Sequence, residues 1–273
     1  MSAPASPDPM RPLRVVAVQY AAGRDVEANL AGLARLLPEP DTADLVVLPE
    51  VFAGRGTRAD LRCAAGPAGG AAARWLAQEA VRRRCWLLGG VVEQEADRCF
   101  NTAMLVDRQG QVRAAYRKIH LFDAVLPDGR VVNESGTYTA GEAPCLADVE
   151  GWRCGLSVCY DLRFPELYRH YQAGGARLLL APADFTDATG RAHWEVLVRA
   201  RAIENQCFVV APNQCGVNAG TGVASYGHSL IVDPWGRILV QAGDEPATLT
   251  ATLDPGACEA VRDALPAWRH RRL

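Results

Sequence analysis

The chain has 273 residues, 49% of them hydrophobic and 22% charged, with a formal net charge of -2 at pH 7. That length and balance describe a folded chain with a substantial core, and the near-neutral charge supplies no basic face for nucleic acid. The nine cysteines are odd in number, irregularly spaced and without a C-x-x-C pair, which argues against a disulfide scaffold or a local zinc knuckle and for a reducing, cytoplasmic setting.

Residues 1–12 are rich in Pro, Ser and Ala and lack the apolar core of a secretory signal. They read as a flexible tail, with a single domain over 13–273. Residues 14–19 read as a strand, and 26–37 as a helix stopped by Pro38 and Pro40. Residues 45–48 form a second strand ending at Pro49-Glu50, followed by a Gly-rich loop. Residues 71–84 are Ala- and Arg-rich and predict a helix, and 85–92 predict a third strand. Strands 99–106 and 111–116 flank Asp107-Arg-Gln-Gly110, a hairpin signature that implies a mixed sheet. The stretch from 118 to 144 is long and irregular, and such a loop within a compact domain usually carries function.

Strands are expected next at 145–149 and 152–158, then a helix over 163–171 closed by Gly174-Gly175. A strand at 177–181, a helix at 191–205 and a strand at 207–211 follow. Strands 229–232 and 237–240 flank Asp233-Pro-Trp-Gly236, a second hairpin, and 248–253 is the last strand. The apolar run 178–183 is far too short to span a membrane. One hairpin in each half suggests two similar β-rich layers packed face to face, with helices outside.

Three ionisable residues end or follow apolar strands: Glu50, Lys118 and Cys159. Ligands of α/β sheets bind at the carboxyl ends of strands, so each sits where meeting is topologically cheap. The chemistry is coherent. A buried carboxylate takes a thiol proton, a fixed lysine stabilises an oxyanion, and the Tyr160 N–H just past the bend is a second oxyanion donor. Taken singly, each also has a bland reading: a surface carboxylate, a solvated lysine, a structural cysteine.

Their context is more specific. Leu45-Val-Val-Leu-Pro-Glu50, Tyr116-Arg-Lys-Ile-His-Leu-Phe122 and Val158-Cys-Tyr-Asp-Leu-Arg-Phe-Pro-Glu166 resemble, in order, the three signature segments of the nitrilase superfamily, the carbon–nitrogen hydrolases. The resemblance runs from about Arg14 to the C-terminus. It implies an α/β fold that is a four-layer α-β-β-α sandwich, a homodimer across the helix after the cysteine, and no metal or organic cofactor. It further implies Glu50 as general base, Lys118 as oxyanion stabiliser and Cys159 as thiol nucleophile. Glu134, in the long loop sixteen residues past Lys118, matches a second glutamate that orients the lysine and substrate in many members.

Within the superfamily, Tyr160 stands where a true nitrilase carries tryptophan. Segments such as Val198-Arg-Ala-Arg-Ala-Ile-Glu-Asn-Gln-Cys207, Asn213-Gln-Cys-Gly216 and Ser225-Tyr-Gly-His-Ser229 resemble amidases of 2-oxo acid γ-amides, and in detail the deaminated glutathione amidase branch. That branch implies hydrolysis to 2-oxoglutarate and cysteinylglycine. An omega-amidase acting on 2-oxoglutaramate and an N-carbamoyl amino acid hydrolase are the alternatives. A catalytically silent interaction protein on the same fold is disfavoured by the intact quartet.

Two departures stand against this pattern. Asp184 occupies a position where a small residue is usual, and an acid there repels an anionic substrate unless it points away. Residues 216–223 form an uncharged Gly- and Asn-rich loop where charge is often found, so a substrate carboxylate needs a base from elsewhere. Tyr160, Arg163, Phe185, His193 and Trp194 are the expected substrate-side residues. Arg163 has a second reading as an ion-pair partner of Glu166, and His193 and Trp194 as packing residues.

Overall fold

The computed structural model describes residues 10–126 and 128–272. Residues 1–9, most of the expected tail, lie outside the described residues. Arg11 is tied down by Asp44 at 3.2 Å and Glu150 at 2.8 Å.

The first half runs β1 (Leu13–Gln19), α1 (Val26–Ala34), β2 (Leu45–Val47), α2 (Arg58–Ala64), α3 (Gly70–Arg83), β3 (Trp86–Glu95), β4 (Arg98–Val106) and β5 (Val112–Arg117). A small hairpin of β6 (Asp123–Val125) and β7 (Val131–Asn133) follows. The second half runs β8 (Cys145–Val149), β9 (Trp152–Leu156), α4 (Pro165–Ala173), β10 (Leu178–Leu180), α5 (Asp187–Asn205), β11 (Phe208–Ala211), β12 (Cys215–Val217), β13 (Ala224–Tyr226), β14 (Leu230–Val232), β15 (Ile238–Gln241) and β16 (Ala247–Leu253). Helices α6 (Pro255–Ala264) and α7 (Ala267–His270) close the chain.

Two six-stranded sheets result, ordered β16-β1-β2-β3-β4-β5 and β15-β14-β11-β10-β9-β8. Each has three parallel central strands, one antiparallel strand on one side and an antiparallel pair on the other. The strand period of two explains how the first sheet packs. Val15, Ala17, Leu45 and Val47 share a core cluster with Cys154, Leu156, Leu178 and Val209 of the second sheet. Their neighbours Val16, Val18, Val46 and Leu48 join Leu33 of α1 and Leu76 and Ala80 of α3 in a second cluster. On the far side of the second sheet, Tyr168 and Tyr171 of α4 and Trp194 and Val198 of α5 complete the first cluster. The architecture is the expected four-layer α-β-β-α sandwich.

Four local readings change. Helix α2 stands inside the expected Gly-rich loop, started by a reciprocal cap: Asp60 N donates to Thr57 Oγ1, and Thr57 N donates to Asp60 Oδ2 at 2.8 Å. The long irregular stretch holds the β6–β7 hairpin, whose alternation is too short to stand out. Helix α5 begins at Asp187, four residues before the expected start, with Thr186 at its N-cap position. After β16, Asp254 caps α6 by accepting from Gly256 N, with Pro255 in the first turn. All nine cysteines are free thiols, and among the described residues no helix is long and apolar enough to cross a membrane.

Candidate active site

Glu50 lies three residues beyond β2, where the chain turns sharply. Val51 adopts φ +47°, which is strained for a β-branched residue. Gly90 on β3 makes room for this turn, because a Cβ there would sit 2.7 Å from the Glu50 Cα and 2.8 Å from Val51 N. The Glu50 carbonyl accepts from Gln214 Nε2 at 2.9 Å. Its carboxylate accepts from Asn101 Nδ2 at 2.6 Å, Lys118 Nζ at 2.9 Å and Asp184 N at 2.7 Å.

Lys118 follows β5 and is 2% exposed. Its ammonium is also clamped by Glu134, at 2.9 Å to Oε1 and 2.8 Å to Oε2. Glu134 is itself fixed by Phe122 N at 2.6 Å and Asn101 Nδ2 at 3.1 Å. One ammonium thus lies between two carboxylates, with the Asn101 amide bridging both.

Cys159 comes from the other sheet. Beyond β9, Val158 is still extended, and Cys159 turns to φ +49° at the head of a 3₁₀ turn, Cys159–Arg163. A non-glycine residue in that region is strained, and such outliers persist where surrounding contacts hold them. Those contacts are visible. Cys159 N donates to Pro182 O at 2.9 Å, and Val158 N donates to Asp161 Oδ2 at 2.8 Å. Buried Asp161 also accepts from Tyr116 OH at 2.8 Å and pairs with His120 Nδ1 at 2.7 Å. His120 stacks on Phe164 with centroids 3.7 Å apart. The carboxylate therefore ties the cysteine turn to the arm that carries Lys118. Tyr160 is the second residue of the turn, which leaves its N–H without an acceptor within the turn.

Glu50, Lys118, Glu134, Asn101 and Cys159 line one cavity of about 300 Å³. Burial, first of all, pushes the Glu50 carboxyl up; Lys118 opposes this, while Glu134 and Asp184 reinforce it. Burial works to lower the Lys118 ammonium, but Glu134 and Glu50 outweigh it and raise it well above its ordinary value. The Cys159 thiol is raised by burial and then by Glu50, with Lys118 and the Asp184 N–H favouring the thiolate. The resting site is therefore a protonated thiol beside a carboxylate of raised proton affinity and a permanently charged lysine. That is a layout for moving one proton as a nucleophile attacks.

Asp184 follows β10 and does line the cavity. Its charge is met by buried Arg55, 3.3 Å from Oδ1, and its Oδ1 also accepts a hydrogen bond from Ser225 Oγ. Phe185 and Trp194 are buried and pack on one another, 5.2 Å between centroids, and the Trp194 indole donates to His228 O at 2.8 Å. Arg163 lies over the Tyr160 and Phe185 rings and donates to His193 Nδ1 at 3.3 Å. Tyr160, Arg163, Phe185, His193 and Trp194 are thus gathered into one aromatic–cationic group at the cysteine turn, and none of them is among the residues lining the cavity, which include Phe122, Tyr138, Thr186 and Thr221. Asn101 escaped the sequence reading, although a lone amide inside the apolar strand 99–106 was its signal.

Residues 14–263 match the carbon–nitrogen hydrolase family. The chain is 39% identical over 270 residues to the deaminated glutathione amidase of Synechocystis, covering 96% of this chain and 99% of that one. It is 35% identical over 272 residues to the chloroplastic omega-amidase of Arabidopsis thaliana, covering 97% of this chain and 73% of that one. A solved CN-hydrolase superfamily protein from Xanthomonas campestris, with an arsenic adduct in its active site, superposes with a TM-score of 0.87 at 30% identity, over 97% of this chain and 98% of that one.

Proposed function

The chain belongs to the carbon–nitrogen hydrolase family, and on that premise we propose that it cleaves the amide bond of deaminated glutathione through a Cys159 acyl-enzyme. The observation that carries the mechanism is the Lys118 ammonium held between Glu50 and Glu134 in the cavity wall shared with Cys159. The Cys159 Sγ forms a bond to the amide carbon while its proton passes to Glu50. Lys118 and the Tyr160 N–H stabilise the oxyanion. Glu50 then delivers that proton to the nitrogen as the C–N bond breaks, and the amine leaves. In the second half Glu50 takes a proton from water as it attacks the thioester. The C–S bond breaks, the proton returns to sulfur, and 2-oxoglutarate departs. Glu134 holds the lysine in place through both halves.

The substrate assignment leans on the 39% identity to the Synechocystis enzyme across nearly both full lengths. The similarity to the Arabidopsis omega-amidase supports a second reading, 2-oxoglutaramate with ammonia as the leaving amine. Release of 2-oxoglutarate from the two substrates at equal enzyme concentration separates them. The expected kcat/KM is higher for deaminated glutathione, and a clear preference for 2-oxoglutaramate would overturn the assignment.

A pH profile tests the base. Glu50 must be ionised to accept the thiol proton, and its carboxyl is raised above the ordinary 4.5 by burial. Activity should therefore be present above this raised value and lost as pH falls through it. An acid limb of kcat/KM at or below 4.5 would rule out Glu50 as that base.

A further inference from the structure

Building on the amidase reading above, we propose that Arg58 binds a carboxylate carried by the leaving amine of the substrate. The cavity has depth. Glu50, Asn101, Lys118 and Cys159 form its buried floor, whereas Arg58, Val131, Asn133 and Thr221 are exposed at its mouth. The thiol on the floor holds the acyl half, and the amine departs outward, so a group at the mouth meets the amine half.

Three carboxylates line the cavity, Glu50, Glu134 and Asp184, and three cations, Lys118, Arg55 and Arg58. Two of the cations are engaged. Lys118 lies within 2.9 Å of both glutamates. Arg55 pairs with Asp184 and donates to Ala22 O at 3.1 Å, Ser225 Oγ at 2.7 Å and Cys215 O at 3.0 Å. The Arg58 side chain, among the described residues, makes no hydrogen bond, ion pair or ring contact. Without it the wall carries a net negative charge at rest, which repels an anion. With it the wall is neutral and keeps one guanidinium whose donors suit a carboxylate.

Its backbone is also fixed. Arg58 opens α2, whose start is set by the Thr57–Asp60 cap. The turn after Asn218 packs on that start so closely that a Cβ on Gly220 would come within 2.6 Å of Thr57 N. The uncharged loop 216–223 therefore lies against the base of a helix that brings the missing charge.

The test uses deaminated glutathione and the same molecule with its terminal carboxylate converted to a primary amide. Wild type should prefer the free acid by roughly tenfold in kcat/KM, mainly through KM. Arg58→Ala should abolish that preference, and Arg58→Lys should keep part of it. Among the described residues the Arg58 side chain has no partner to lose, so the melting temperature of both variants should match wild type. A preference that survives Arg58→Ala, or none in wild type, overturns the assignment. An equal loss on 2-oxoglutaramate, which has only the acyl-side carboxylate, also overturns it. If wild type hydrolyses 2-oxoglutaramate but neither glutathione-derived amide, the substrate reading has failed and this inference falls with it.

Discussion

Cys159→Ala should lower turnover by on the order of 10⁴-fold or more and leave the fold intact. Among the described residues no other thiol lines the cavity. Eight further thiols exist, but the buried ones whose titration is perturbed, such as Cys154 and Cys207, are pushed up by burial away from the cavity. Alanine keeps the backbone bonds to Pro182 and Asp161, so far-ultraviolet circular dichroism and the unfolding transition should change little. An acylated adduct at residue 159, trapped from a slow amide and read by mass spectrometry, should appear in wild type and be absent from the variant. Turnover by Cys159→Ala near the wild-type rate would sink the covalent mechanism.

Lys118→Ala should do more damage, because it removes both the proposed oxyanion donor and the charge that holds two buried carboxylates together. Breaking a buried pair by deleting one partner costs about 3–5 kcal/mol. For a chain of this size that corresponds to a fall in Tm on the order of 10 °C. The deficit should depend on pH. With the lysine gone, Glu50 loses the group that lowers its pKa and keeps the burial and the neighbours that raise it. The folded variant then binds a proton more tightly than the unfolded chain, so its stability is best at low pH and is lost as pH rises through the raised value. Adding Glu134→Gln should restore part of the stability and none of the activity. A Lys118→Ala protein that melts with wild type from pH 5 to pH 8 would contradict the clamp.

The sequence and the structure agree best where one rule acts alone. The short continuous apolar runs at 14–19 and 45–48 predict strands, and both of their faces are buried, one in each cluster. The three polar residues at strand ends were legible because each interrupts an apolar run at a rim. Distances between them were not, since Lys118 meets Glu134 only because the chain between them folds back through the β6–β7 hairpin, and Cys159 comes from a separate sheet. Arg163, Phe185, His193 and Trp194 lie close to the cysteine turn in sequence or in space, yet they pack on one another and none is among the residues that line the cavity. Sequence neighbourhood reports the turn and not the direction of its side chains. Asp184 shows the converse: its charge is obvious in the sequence, and the buried guanidinium that answers it stands 129 residues earlier.

Glu50 and Lys118 are carried by the sheet of β1–β5 and β16, and Cys159 by the sheet of β8–β11, β14 and β15. On the proposed mechanism neither layer holds a working set by itself, and β16, which completes the first sheet beside β1, follows every strand of the second sheet in the chain. Catalysis is thus a reporter of docking between the layers. During synthesis the proposed set should stay inert until both sheets have formed, which spares the growing polypeptide a reactive thiol beside a base. In refolding, recovered turnover should trail recovered secondary structure, and the gap between the two curves measures the closing of the sandwich.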